Sequence, residues 1–169
     1  MDDLQKWLAA VRKGDKAAFE SLYEAMKKPL FTVVLRVTGD RALSEDILQD
    51  VFLKLYLSPP EGAVNPRAYL CRMARNLAID SLRRRRQEAP LEEVENTVFH
   101  PTDDLALRMD IEDAILSLPE RERQIVTLRL NGELKFREVA EILELPLGTV
   151  LWSYQKAIGH LQTVLGGAI

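Results

Sequence analysis

Residues 66–86, PRAYLCRMARNLAIDSLRRRR, hold most of the side chains that could do chemistry. At about 100° per residue on a helix, Arg72, Asn76 and Asp80 fall near one line. Arg83 lies a little round it and Arg75 beside it. Arginines such as Arg83 and Arg84 hold phosphates, while the amide of Asn76 can donate to and accept from a base edge. Tyr69 could stack on an unpaired base. A solvated helix face would also carry such groups, its cations answering the helix dipole near the C-terminus. Four consecutive arginines, residues 83–86, beside an acidic stretch favour nucleic acid, although that stretch could also neutralise them.

The elements that must position this stripe read almost entirely as helix. Leu4, Trp7, Leu8, Val11, Ala18, Phe19, Leu22 and Tyr23 recur at three- and four-residue steps, interrupted by Gly14-Asp15. Pro29 is expected to open a second stretch, 30–37, closed by Gly39-Asp40. Ser44 then reads as the N-cap of an amphipathic helix with Ile47, Leu48, Val51, Phe52, Leu55 and Tyr56 on its apolar side. A loop follows at 58–62, and the long helix after Pro66 runs to about Arg86 with Tyr69, Leu70, Met73, Leu77 and Leu82 as its buried side. Residues 87–104 are acidic, contain two prolines and read as a linker. Beyond it, helices are expected over 105–118, 119–130, 136–143 and 148–165, with a break at Asn131-Gly132. The last two, joined by a tight turn, have the helix-turn-helix layout. No window alternates with period two, so the fold class is all-α: a first domain, 1–86, a linker, 87–104, and a second domain, 105–169.

Charge follows this division. The whole chain of 169 residues carries −3, but residues 1–86 carry +5, residues 87–104 carry −6 and residues 105–169 carry −2. A basic first domain admits a polyanionic partner that the overall charge would argue against. One cysteine, Cys71, excludes an internal disulfide framework and a cysteine zinc site, and reads as a small, partly buried residue. His100 and His160 stand far apart, so no metal centre is expected. There is no glycine-rich phosphate loop and no plausible Ser/His/Asp set, so neither an enzyme nor a cofactor is expected. No apolar run approaches the ~20 residues of a membrane span. The acidic Met1-Asp2-Asp3 start does not resemble a signal peptide, so a soluble, cytoplasmic protein is expected.

Several stretches together carry a resemblance: residues 17–23, LRVTGD (35–40), SEDILQDVFLKLY (44–56), residues 66–86, and LSLPERERQIVTLRLNGELKFREVAEILELPLGTV (116–150). The chain resembles the extracytoplasmic-function sigma factors, the two-domain branch of the sigma-70 family. The resemblance implies a bacterial protein that binds core RNA polymerase and directs promoter recognition and melting. It implies that the 44–56 helix meets a coiled coil of the polymerase β′ subunit through Asp46, Gln49, Asp50 and Phe52, although Phe52 reads equally well as a core residue. It further implies that the long helix reads the melted −10 strand, with Asn76 and Asp80 facing DNA and Arg72, Arg75, Arg83 and Arg84 on the backbone. The 58–65 loop corresponds to one that captures an extruded base. An anti-sigma factor is a possible further partner.

The last helix departs from the family pattern. After Gly148-Thr149-Val150 the family continues with dense basic and hydroxyl groups that enter the −35 groove, whereas here Lys156 is the one certain cation. Val150, Tyr154, Ala157, Leu161 and Leu165 keep a core face that Leu151 and Ile158 widen, while Trp152 points about 200° away from Val150. Two expectations follow. Thr149, Trp152, Ser153, Gln155 and Lys156 read −35 DNA weakly, helped by tethering to polymerase. Alternatively this surface binds protein, which would make the chain a sigma-like adaptor. A helix-turn-helix regulator of the response-regulator type is the remaining rival; it predicts a receiver or ligand domain upstream, and the helical, basic first half argues against that.

Overall fold

A computed structural model describes residues 2–62, 64–88 and 106–166. The chain divides into two units, Met1–Thr97 and Val98–Ile169. Among the described residues all regular structure is helical.

In the first unit, α1 (Asp3–Arg12) buries Leu4, Leu8 and Val11 and ends before Gly14, whose φ of +86° glycine adopts without strain. Asp15 then caps α2 (Lys16–Thr38), its carboxylate accepting from the Ala18 N–H at 3.1 Å. The helix passes through Pro29 unbroken, so the expected start there is corrected. Proline in a helix interior forfeits a backbone hydrogen bond and costs about 3 kcal/mol. Met26, Leu30, Val33 and Val34, buried on either side of Pro29, together outweigh that at about 1.5–3 kcal/mol each.

Gly39, at φ +66°, closes α2 with its N–H on the Leu35 carbonyl. Asp40, not Ser44, caps α3 (Arg41–Leu57), accepting from the Leu43 N–H at 3.0 Å. Ser44 lies inside the first turn, fully buried, donating to the Asp40 carbonyl at 2.6 Å and paired with the Thr38 hydroxyl at 2.7 Å. The serine therefore staples the α2–α3 corner, and the cap falls to the acid four residues earlier.

Asn65 accepts from the Ala68 N–H at 3.2 Å and starts α4 (Pro66–Glu88). The deepest residues of α4 are Leu70, Cys71, Ala74 and Ala78, all fully buried. Three of the four are small, which lets α4 lie close across α2. The expected buried side was displaced by this close approach: Tyr69, Met73, Leu77 and Leu82 are only half-buried at its margins. Helix α4 also takes in Gln87 and Glu88, the first two residues of the expected linker. Residues 89–104 lie outside the described residues.

The second unit contains α5 (Ala106–Leu116), α6 (Glu120–Leu130), α7 (Phe136–Leu143) and α8 (Leu147–Val164). Its core joins Ala114, Ile115, Leu118, Val126, Ala157 and Leu161, with Tyr154, Ile158 and Leu165 packed against it. Between α6 and α7, Gly132 turns so tightly that an added Cβ would sit 2.6 Å from the Leu128 carbonyl oxygen. Arg129 braces this turn, donating to the Leu134 carbonyl at 2.9 Å and lying 4.8 Å over the Phe136 ring. Phe136 meets Tyr154 of α8 edge-on at 4.9 Å. The α7–α8 turn is made by Glu144 in the left-handed region, φ +54°. This is the expected helix-turn-helix.

Candidate nucleic-acid and polymerase interfaces

Arg72, Asn76, Asp80, Arg83 and Arg84 are all exposed on α4, with Tyr69 and Arg75 half-buried at the edge. The burial of Leu70, Ala74 and Ala78 forces this, because at 3.6 residues per turn the stripe is the opposite side of the helix. The four arginines are not equivalent. Arg85 lies about 180° round from Asn76, above the buried face. Its guanidinium donates to Asp40 at 2.7 Å, tying the last turn of α4 to the cap of α3. Asp40 accepts from the Leu43 N–H and from Arg85, and both hold its carboxyl below the usual carboxylate range.

On α3, Asp46, Gln49 and Asp50 are exposed. Leu53 and Leu57, 54% and 71% exposed, fall within about 20° of Asp46, so the acids border an apolar strip. Phe52 does not belong to that surface. It lies about 120° from Asp46 and is only 4% exposed, held edge-on by Tyr23 at 4.7 Å and Phe19 at 6.3 Å. Of the two readings of Phe52, polymerase anchor and core residue, its burial among Phe19 and Tyr23 favours the core. Tyr56, half exposed and 5.2 Å from Phe19, is the outward member of the same aromatic cluster. Tyr56, expected on the apolar side of this helix, is half exposed, and Leu53 and Leu57, which spacing assigns to no face, are exposed beside the acids.

On α8, Trp152 is 62% exposed, and Gln155 is exposed beside it. Ser153, expected to face DNA, is buried, since it falls between Val150 and Ala157 on the core side. Thr149 is half-buried. Lys156 is engaged within the unit: its ammonium lies 3.5 Å from Glu122 of α6 and 5.1 Å over the Trp152 ring. Ile158 packs on the core, but Leu151 stays 39% exposed and extends the outer face instead.

Gly62 of the 58–62 loop has φ +80°, and residue 63 lies outside the described residues. Among the described residues no group of three or more His, Cys, Asp or Glu could hold a metal ion. Cys71 is fully buried. No helix among the described residues is long and apolar enough to cross a membrane.

Residues 22–88 match the family model for sigma-70 region 2, and residues 108–161 match that for sigma-70 region 4. The chain is 30% identical over 165 residues to the ECF RNA polymerase sigma factor SigW of Bacillus subtilis, covering 87% of this chain and 88% of that protein. It is 28% identical over 178 residues to the ECF RNA polymerase sigma factor SigK of Mycobacterium sp. (strain JLS), covering 97% and 91%. In fold it is similar to the sigma factor RpoE of Bartonella quintana, solved in complex with the anti-sigma factor NepR (TM-score 0.70, 22% identity, 89% of this chain and 98% of that chain). A similar likeness holds for CnrH, solved with the cytosolic domain of CnrY (TM-score 0.69, 19% identity, 99% and 100%). With both regions matched in order along one chain, and a relative of this identity across nearly its whole length, the chain belongs to the extracytoplasmic-function RNA polymerase sigma factors of the sigma-70 family.

Proposed function

We propose that the two units divide the work of promoter recognition and melting between them. The first unit docks on core RNA polymerase through Asp46, Gln49 and Asp50 of α3, with Leu53, Tyr56 and Leu57 as the apolar part of the contact. Basic groups of a polymerase coiled coil would meet the acids, and burial of the leucines would supply affinity. The α4 stripe then holds the melted −10 strand: Arg72, Arg75, Arg83 and Arg84 on phosphates, Asn76 and Asp80 on base edges, Tyr69 stacked on a base. The second unit places α8 in the −35 groove. The chain works in the bacterial cytoplasm, beside polymerase, and an anti-sigma factor holds it inactive there until released. Chemistry belongs to the polymerase, and this subunit contributes recognition and strand separation.

The observation that carries this reading is the α4 stripe, where phosphate and base-edge groups are exposed together on one face of a helix whose opposite side is buried through Leu70, Ala74 and Ala78. Reconstitution with core polymerase and transcription from a random promoter library tests it. Selected −10 and −35 sequences at a fixed spacing are expected. A chain that fails to join the core, or joins it without selecting any promoter, would overturn it.

A further inference from the structure

Helix α8 is poor in charge for an element that enters a DNA groove. It holds one lysine, no arginine and no acid. At about 100° per residue its outer arc includes Gly148, Leu151, Trp152, Gln155 and Gly159. Lys156 sits at the edge of this arc, and its charge is already committed. Its partner Glu122 has a side chain only 10% exposed, so moving the ammonium to a phosphate would strand a buried carboxylate. The same ammonium lies over the Trp152 ring. Glu122, Lys156 and Trp152 thus form a brace running from α6 to the outer face of α8, and its end product is an oriented indole. Trp152, 62% exposed, has the Lys156 ammonium 5.1 Å over its ring.

We infer that α8 reads the −35 element through uncharged contacts: Trp152 and Leu151 against thymine methyl groups and Gln155 on adenine, with Lys156 a positioning residue for the indole. The inference rests on the sigma-factor reading and names the class of sequence that reading leaves open, an A·T-rich −35 element. In the major groove thymine alone presents a C5-methyl, the natural target of an apolar side chain. An amide such as that of Gln155 can pair with N6 and N7 of adenine. Phosphate contacts fall instead to Lys135 and Arg137, both exposed at the N-terminal turn of α7, the helix that crosses the backbone in this motif. Charge thus fixes the position, and the uncharged face reads the sequence.

The test uses full-length protein with core polymerase and a duplex promoter selected from a random library, each −35 thymine being replaced in turn by deoxyuridine. Deoxyuridine removes only the methyl group. Affinity is expected to fall about fourfold at one or two thymines, roughly the worth of one buried methyl, and Trp152→Ala should erase that difference at one of them while adenine preference at the Gln155 contact persists. Lys156→Gln should weaken the uridine effect yet leave the slope of log affinity against log salt unchanged. Because that variant strands Glu122, the Glu122→Gln/Lys156→Gln double variant is measured alongside it. A selected −35 sequence that is indifferent to every uridine replacement overturns the inference and leaves the sigma reading standing. A slope reduced by about 0.9 in the double variant makes Lys156 a phosphate ligand and also overturns it. Selection of a −10 sequence with none at −35, Trp152→Ala having no effect, assigns the face to a protein partner. Failure to select any promoter overturns both readings.

Discussion

Arg85 reaches from the last turn of α4 to the carboxylate of Asp40, 2.7 Å away, and Asp40 is the residue that caps α3. One carboxylate therefore ties the helix proposed to read DNA to the helix proposed to bind polymerase. Of the four consecutive arginines, this one serves the fold.

The pair has a pH signature. Asp40 has its pKa lowered in the folded chain by the Leu43 N–H and Arg85, so the stabilisation is present above the unfolded value near 3.8. It is lost as pH falls below that value toward the folded one. Asp40→Asn keeps a good helix cap but loses the ion pair, and should cost about 0.5–1 kcal/mol at pH 7. The cost should shrink on acidification below about pH 4. Urea denaturation followed by Trp7 fluorescence, in a Trp152→Phe background, measures this in the first unit alone. A cost independent of pH would show that the pair contributes nothing.

Polymerase docking should depend on Asp46 and Asp50 and far less on the neighbouring charge of α3. Asp46→Lys combined with Asp50→Lys is expected to lower affinity for core polymerase by at least tenfold, or about 1.4 kcal/mol. Helical content should be unchanged, since both residues are exposed. Glu45→Lys, a reversal off the strip at a residue paired with Arg41, should change affinity far less. Leu53→Ala should also weaken the complex, by slowing nothing in association but hastening dissociation. Equal affinities in a binding titration would sink the assignment.

Two glycines of the second unit should respond oppositely to alanine. Gly132→Ala places a Cβ 2.6 Å from the Leu128 carbonyl oxygen, a backbone atom that cannot swing aside. It should destabilise the unit by about 1–3 kcal/mol. Gly159 lies inside α8 with nothing within 4 Å of an added Cβ. Gly159→Ala should stabilise it by about 0.5–1 kcal/mol. Thermal melts followed at Trp152 distinguish the two.

Much of this architecture is legible from residue spacing. Gly14-Asp15 and Gly39-Asp40 mark helix boundaries because a left-handed glycine followed by a capping acid is local chemistry, and α7 follows from its own periodicity. Pro29 misleads because its cost is local while its compensation, Met26 and Leu30 against the other helices, is tertiary. The residues of the α4 stripe are exposed as spacing alone suggests, whereas Ser153 is not on the surface expected of it and Phe52 takes the core reading of its two. Spacing along one helix cannot show that Phe19 and Tyr23 close over Phe52, or that Glu122 of α6 waits for Lys156. Such pairings are fixed only when separate helices meet.

The α4 stripe makes the sharpest separation between reading and holding. Asn76→Ala and Asp80→Ala should change which −10 sequences the holoenzyme selects, because these groups can reach base edges. Arg83→Ala and Arg84→Ala should weaken all promoters alike, since phosphates carry no sequence. Each should also reduce the slope of log affinity against log salt by about 0.7 on a single strand. Arg85→Ala is the internal control, one residue along the same run. Its guanidinium is on Asp40, so it should leave both the slope and the sequence preference unchanged while costing the first unit about 0.5–1 kcal/mol. The measurement is a salt titration of full-length variants on a mixed-sequence single strand of about 20 nucleotides, long enough for one binding site, paired with library selection in the holoenzyme. A slope that falls equally for Arg83, Arg84 and Arg85 would mean that all of them contact phosphate, and that the bridge to Asp40 opens whenever DNA arrives.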